Sequence, residues 1–442
     1  MNTPIIDFVE KYKKSGTARF HMPGHKGKDR FCDDITEISG ADELYAADGI
    51  ILESENNASR LFGSAHSYYS AEGSTLSIKA MLTLAAWERP AGERPLFVAA
   101  RNAHKAFVYG AAMLDADVEW LYSDSKHICK CEIGANRLEE TIKNCRRKPD
   151  GVYITSPDYL GNIADIKGLA EVCDKYGVPL LVDNAHGAYL AFLEENKHPL
   201  ALGASMCADS AHKTLPVLTG GAYLHIAKKA EHFCQKARSA LAMYATTSPS
   251  YLILQSLDAC NKYLSEAPTS ARQKIIDFVK NEREKLSKKG IVTDGDECFK
   301  IAINAKASGY SGEELADIFR KGGVEPEFCD GDYTVLMLSE FNGDGELLQL
   351  ANLFSSLEGR EPIDAEQCRV PVCERAMSIR EAVFADFEVV SVGESEGRIC
   401  ASPTVSCPPA VSVAVSGEVI NSDCVKVLAG CGISKISVVK IK

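Results

Sequence analysis

The chain has 442 residues, 45% apolar and 25% charged, and its 33 Gly and 17 Pro lie near the globular average, which excludes collagen-like and low-complexity classes. Its 49 Lys and Arg against 61 Asp and Glu leave a formal charge of −12, which argues against a nucleic-acid coat or a polybasic membrane anchor. The opening MNTPIIDFVEKYKK turns acidic at Asp7 without a leader-like apolar core, and the 16 cysteines are scattered with no CxxC pair, so a cytoplasmic protein is expected.

Residues 1–55 mix polar residues with Gly-rich turns and are expected to form an arm or lid. There Phe20-His-Met-Pro-Gly-His-Lys-Gly27 sets His21 and His25 one helical turn apart, but Pro23 and Gly24 between them disfavour a helical metal pair; a buried loop or an active-site rim remain. From 56 to 270, short apolar runs alternate with amphipathic stretches. Strands are expected at Leu96–Ala100, Val118–Tyr122, Gly151–Thr155, Pro179–Asp183, Met206–Asp209 and Gly221–Ile226, with helices at Leu76–Trp87, Arg137–Arg147 and Ile166–Tyr176. That alternation predicts an α/β domain on a largely parallel sheet, with ligands beyond the carboxyl ends of its strands. A long helix over 272–290 then leads into a small α+β unit, 271–361. From Pro362 to 442 a Val-, Ser- and Cys-rich stretch with a Pro408-Pro409 break reads as a third module. Ser239–Leu257 and Ile399–Gly417 lack charged side chains, but both are broken by Pro and rich in Ser and Thr, so neither reads as a membrane span. Cys129-Lys130-Cys131 is the one tight thiol pair and makes a poor zinc site; no metal is expected.

Two segments carry chemistry together. In Asp209-Ser-Ala-His-Lys-Thr-Leu-Pro216 a Lys follows a small-residue strand, and in Leu180-Leu-Val-Asp-Asn-Ala-His-Gly-Ala188 an apolar strand ends in Asp. Alone, Lys213 reads as an exposed loop residue and Asp183 as a loop cap. Together they fit pyridoxal phosphate, which needs an amine for its aldehyde, a carboxylate for its ring nitrogen and an anion cradle for its phosphate. The cradle candidate is Glu72-Gly-Ser-Thr-Leu76, where Ser74 and Thr75 are expected to cap the following helix and expose its N-terminal N–H groups, with Ser210 and His212 as further donors. His104, after the strand ending at Ala100, either lies flat on the cofactor ring or caps the next helix.

FHMPGHKG, ITEISGADEL, EGSTLSIKAM, RNAHKA, TSPDYLG, VDNAHGA, DSAHKTLP and TSPSYLILQSLD occur in an order that resembles the ornithine/lysine/arginine decarboxylases of the aspartate-aminotransferase superfamily. FKIAINAKASGYSGEEL resembles that family's small domain; SIREAVF, GRICASP and PPAVSVAVSGE resemble its C-terminal domain. The resemblance implies an aminotransferase-like (fold type I) large domain, a small α+β domain and a C-terminal module, in a short form without the N-terminal wing domain. It implies decarboxylation of a basic amino acid, in polyamine-type metabolism, by a homodimer or higher oligomer. Lys213 would carry the cofactor and move protons, sharing the latter role with His212 or a water. Asp183 would pair with the ring nitrogen, His186 would lie close to the ring, and His104 would stack on it. Ser74, Thr75, Ser210 and His212 would bind the phosphate, and Ser248, in Thr246-Thr-Ser-Pro249, would reach that of a partner subunit.

The chain departs from the family pattern at Thr155-Ser-Pro-Asp-Tyr-Leu-Gly161, where Asp158 adds a carboxylate that either clamps a distal substrate cation or faces solvent in a turn. His21 is a second candidate at the substrate. Two rival readings stand beside the decarboxylase: an aminotransferase or carbon–sulfur lyase on the same cofactor, and a non-catalytic regulatory subunit. The survival of Lys213, Asp183 and His104 weighs against the second. Against the first, the one small-domain arginine considered for a substrate carboxylate, Arg320, falls on a solvated helix face.

Overall fold

A computed structural model describes residues 1–90, 92–125, 127–363, 370–403 and 410–440. The Pro408-Pro409 break lies outside the described residues. Two compact units divide the chain, one comprising Met1–Leu96, Ile142–Ile154 and Ile166–Ala267, the other Phe97–Thr141, Thr155–Asp165 and Pro268–Lys442.

The α/β region contributes seven strands to mostly parallel sheet: β1 (His66–Ser70), β2 (Leu96–Ala100), β3 (Asp117–Leu121), β4 (Gly151–Thr155), β5 (Leu180–Asp183), β6 (Met206–Asp209) and β7 (Ala222–Ile226). The first unit carries five of them in the order β1-β7-β6-β5-β4, and the second carries β2 and β3. Every residue of β5, β6 and β7 is buried, which is why these segments read as unbroken apolar runs with no alternation: both faces are covered. β5 runs parallel to β6 with Asp183 beside Ala208; β7 runs antiparallel to both of its neighbours, β6 and β1, so that Asp209 faces Tyr223 and Tyr69 faces the same tyrosine from the other side.

Helix Ile166–Tyr176 has the expected bounds, and Gly290, at φ +77°, follows the long helix Thr269–Lys288. Strand β1 had no apolar signal. Its sequence is HSYYS, and polar bonds hold it: Tyr69 N–H donates to Glu55 Oε1 (3.0 Å), while Ser67 Oγ lies 2.7 Å from His225 Nδ1. Within the stretch read as an arm or lid, helix Pro4–Lys14 buries Ile5 and Val9, and its Ile5 and Ile6 N–H groups donate to Asp258 Oδ2 (3.0 and 3.1 Å) on helix Tyr251–Glu266.

The second unit contains a four-stranded antiparallel sheet, β8 (Val292–Asp294), β9 (Lys300–Asn304), β10 (Phe328–Cys329) and β11 (Tyr333–Met337), in the order β10-β11-β9-β8. Helices Gly312–Lys321 and Asp344–Ser356 accompany it; Ser311 caps the first by accepting from Glu314 N–H, as a Ser before an apolar-periodic run should. Strands β12 (Phe387–Ser391) and β13 (Lys435–Val439) pair farther along the chain. One apolar cluster joins Tyr159, Leu160, Val335, Cys400, Val413, Ile420, Cys424 and Leu428, so the Val- and Cys-rich tail shares a core with the small sheet of its own unit. Among the described residues, no helix is long and apolar enough to cross a membrane.

Candidate active site

Strands β5 and β6 end side by side in the first unit, and each delivers one half of the site. Asp183 closes β5 at 3% exposure, and the turn after it carries Asn184 and His186. Ser210 follows β6 and leads into the single helical turn Ala211–Thr214, which holds His212 and Lys213. Lys213 Nζ lies 3.1 Å from His186 Nε2, so residues 27 apart in sequence meet at the carboxyl edge of the sheet.

Burial pushes the Asp183 carboxyl above its ordinary value, against the lowering influence of the Tyr153 hydroxyl, the Lys213 charge and the Ala185 N–H. Tyr153 O–H donates to Oδ2 at 2.9 Å and Ala185 N–H to Oδ1 at 3.2 Å. A carboxylate in so dry a place calls for a cation, and a protonated ring nitrogen supplies one. Tyr153 went unrecognised in the sequence, where GVYIT looks like any buried strand; the signal was a phenol in a buried run, whose hydroxyl needs a partner. Tyr153→Phe removes one hydrogen bond to a charged group, so kcat should fall about tenfold with KM nearly unchanged in steady-state assays.

The anion cradle is built differently from the expectation. Helix Gly73–Ala86 starts earlier than the expected Leu76, so Ser74 and Thr75 are not its caps but lie in its first turn; Glu72 precedes them without a side-chain cap. Gly73 sits at φ +70°, a conformation that favours glycine, and its N–H donates to Gly220 O at 2.7 Å. The next residue of that turn, Gly221, accepts from His212 N–H at 3.1 Å, so one glycine pair ties the helix start to the lysine turn. Ser210 Oγ donates to Ser74 Oγ at 2.7 Å, which places two hydroxyls and an uncapped helix N-terminus together, a fit for phosphate. His212 Nδ1 lies 3.0 Å from Gly221 O, so the neutral ring presents Nε2 as an acceptor and donates there only when protonated. Burial lowers its pKa against the Gly221 carbonyl, with Lys213 also lowering it. Ser248 is exposed; its N–H donates to Thr246 Oγ1 (3.2 Å), and Thr246 N–H donates to Glu72 Oε1 (2.7 Å).

Beneath the two turns lies a buried network that the motifs did not reveal. Asn184 Nδ2 donates to Asp209 Oδ1 (2.8 Å), His198 Nε2 lies 2.9 Å from Asp209 Oδ2, and His225 Nε2 lies 3.4 Å from the same oxygen. Burial alone would raise Asp209, but the two imidazoles hold it well below the usual carboxylate range. Cys207 completes a group of metal-capable atoms with His198 and Asp209. His198 Nδ1, however, accepts from Leu200 N–H (3.4 Å), which leaves the proton on Nε2 to donate to Asp209, so the group is satisfied as a hydrogen-bonded network.

His104, in the second unit, caps helix Lys105–Leu114 by accepting Ala106 N–H on Nδ1 at 3.1 Å. Its loop is held from within that unit: His104 bridges Val411, Lys105 N–H donates to Ala410 O (2.8 Å), and the buried Arg101 donates to Ser412 O and Val413 O (2.7 and 2.8 Å) and pairs with Glu418 (3.3 Å). Asp158, also in that unit, does not face solvent. At 4% exposure its oxygens accept from Leu160 N–H, Asn162 N–H and Asn162 Nδ2 (2.9, 2.9 and 2.8 Å), and burial raises it to about 6 against those bonds and the Lys300 charge. The carboxylate closes its own loop, an alternative the sequence reading did not weigh. His21, half-buried in the first unit, lies 2.6 Å from Tyr12 Oη through Nε2 and contacts Met22 O through Nδ1.

A cavity of about 630 Å³ lies elsewhere, beside the amino ends of β5 and β6, lined by Arg147, Asp150, Asp174, Pro179, Ser205 and Lys229 among others. Its cations are already engaged, Arg147 with Asp150, Lys229 with Asp174, and Arg89 and Lys148 with the carbonyls of Ala86 and Gly177.

The family model described as Orn/Lys/Arg decarboxylase, major domain, matches residues 3–306. The Bacillus subtilis (strain 168) protein YaaO, itself uncharacterised, is 28% identical, with 97% of this chain and 94% of that protein covered. An arginine decarboxylase of the same organism is 26% identical over 95% of this chain and 92% of its own length. Among solved structures, the Francisella novicida lysine decarboxylase LdcF superposes with a TM-score of 0.81 at 15% identity, covering 99% of this chain and 81% of that one.

Proposed function

Because the chain belongs to the Orn/Lys/Arg decarboxylase family, pyridoxal-phosphate-dependent enzymes, we propose that it removes the carboxyl group of a basic amino acid, arginine, lysine or ornithine, to give the corresponding amine. The observation that carries this reading is the meeting of Lys213 with His186 at the edge where Asp183 is buried and Ser74 meets Ser210. Pyridoxal phosphate, when bound, supplies the sink for the electrons left at Cα as CO₂ departs. Lys213 would hold the cofactor aldehyde and, with His212 or a water, would return a proton to Cα. Asp183 would keep the ring nitrogen protonated, and His186, 3.1 Å from Lys213 Nζ, would lie close to the ring. Ser74, Thr75 and Ser210 would hold the phosphate, joined by His212 when its Nε2 is protonated, and Ser248 would reach that of a partner in a homodimer. His104 would stack on the ring, as the family resemblance implies. The amine product belongs to polyamine-type metabolism in the cytoplasm.

The name of the Bacillus subtilis relative puts arginine first among the substrates. Transamination is disfavoured because Arg320 is exposed and engaged by Glu325 (2.9 Å) and Asp317 (3.5 Å), with no open fork for a substrate carboxylate. The test is purified protein with added pyridoxal phosphate and carboxyl-labelled arginine, lysine and ornithine, each alone. Labelled CO₂ from one of them is the expected result. No release from any, with the lysine-bound cofactor absorbing near ~420 nm, would move the reaction to another class on the same cofactor.

A further inference from the structure

Two of the chain's cysteines meet. Cys373 Sγ and Cys424 Sγ lie 3.2 Å apart, both in the second unit. A disulfide needs about 2.05 Å, a closure of roughly an ångström. Among the described residues, this pair has no third His, Cys, Asp or Glu close enough to make a metal-binding group.

The surroundings make the two sulfurs unequal. Cys424 is fully buried in the first turn of helix Ser422–Gly430, whose cap Asn421 accepts from Cys424 N–H at 3.0 Å. Either sulfur can donate in the hydrogen bond they share; the helix N-terminus favours the thiolate on Cys424, which that bond holds below the ordinary thiol range although burial pushes the other way. Cys373 is half-exposed in an extended segment, and giving that hydrogen bond raises it, as does burial. The segment is stitched to its neighbour on both sides of the sulfur: Asn421 Nδ2 donates to Val372 O (3.1 Å), Val419 N–H to Glu374 O (2.8 Å) and Ala376 N–H to Gly417 O (2.9 Å). A nucleophilic sulfur at a helix N-terminus therefore faces an accessible one on a pinned strand, the asymmetry that thiol–disulfide chemistry uses.

We propose that Cys373 and Cys424 form a reversible disulfide, made by a peroxide and unmade by a dithiol. Cys373 Sγ attacks one peroxide oxygen as its proton passes to Cys424; the O–O bond breaks, hydroxide leaves, and Cys373 becomes a sulfenic acid. Cys424 Sγ then attacks the Cys373 sulfur. The S–S bond forms, the S–O bond breaks, and the departing oxygen and the earlier hydroxide leave as two waters with the protons of both thiols. Two thiols have lost two electrons and one peroxide has gained them. A dithiol reverses the change by exchange. The clamp falls across the stretch that holds Arg101 at Ser412 and Val413 and bridges His104 at Val411, so oxidation stiffens the mount of the His104 loop.

The test uses the full-length protein, oxidised with hydrogen peroxide, alkylated in denaturant and digested without reductant. The expected product is a peptide pair joined through Cys373 and Cys424, located by fragmentation and lost on dithiothreitol, with the free-thiol count falling by two. Oxidation should also raise the thermal midpoint of the wild type and leave that of Cys373→Ser unmoved. Both cysteines alkylated after peroxide would overturn the proposal. So would either one joined to another cysteine, Cys368 and Cys407 included, or a sulfinic acid at Cys373 without a cross-link. These readings need only the wild-type protein, so a variant that fails to fold leaves the proposal open to refutation.

Discussion

Lys213→Ala should show no absorbance near ~420 nm after incubation with pyridoxal phosphate and should lose at least about 10³-fold in decarboxylation rate, close to 4 kcal/mol of barrier. The argument is positional. Lys213 is half-buried on the one helical turn that follows β6, with Nζ 3.1 Å from His186 Nε2, while Asp183 is close enough for the lysine charge to lower its pKa. An amine there faces a carboxylate that can fix the ring and a hydroxyl pair that can fix the phosphate, so the aldehyde reaches it already oriented. Lys213→Arg separates charge from chemistry: it keeps a cation opposite Asp183 but carries no amine able to condense with an aldehyde. It should fail as badly as Lys213→Ala. Thermal unfolding of both variants should stay near that of the wild type without cofactor, since the residue lies at the rim of the core. An undiminished ~420 nm band in Lys213→Ala would place the cofactor elsewhere and overturn the assignment.

The sequence revealed most where one rule acted alone. β4 and β6 have the bounds their apolar runs suggested, because continuous burial on both faces leaves no competing pattern. The places of Asp183 and Lys213, at the end of β5 and just after β6, were legible because a polar residue closes each apolar run. The failures have equally local causes. β1 is a polar edge strand whose stability comes from Glu55 and His225, partners distant in sequence. The helix over 73–86 begins at a left-handed glycine, which normal capping signals do not mark. Asp158 had two candidate roles, yet its own loop takes both oxygens through contacts two and four residues away. Arg101 stands beside His104 in the sequence, but its purpose is visible only when Ser412, Val413 and Glu418 arrive from more than three hundred residues later.

Asp183→Asn is the sharper experiment, because it changes charge and leaves shape. The amide fits the same buried space, and its oxygen can still accept from Tyr153 O–H, so the fold and the Lys213 turn should survive. What it lacks is the negative charge that keeps a ring nitrogen protonated. In a site this dry the interaction is poorly screened, and removing it should cost about 10²–10³ in kcat, roughly 3–4 kcal/mol, with KM changed far less. The bound cofactor itself should remain, since Lys213, Ser74 and Ser210 are untouched, and that retention is what distinguishes the variant from Lys213→Ala. Two controls bracket the result. Tyr153→Phe should lie between wild type and Asp183→Asn in kcat, because it weakens the hold on the anion without removing it. Asp183→Glu restores the charge but drives an extra methylene into a packed strand end, so it should recover little activity and lose stability. A kcat for Asp183→Asn within about threefold of wild type would mean that the buried carboxylate serves the turn of Asn184 and Ala185 rather than the ring nitrogen, and the electronic role assigned to it would fall.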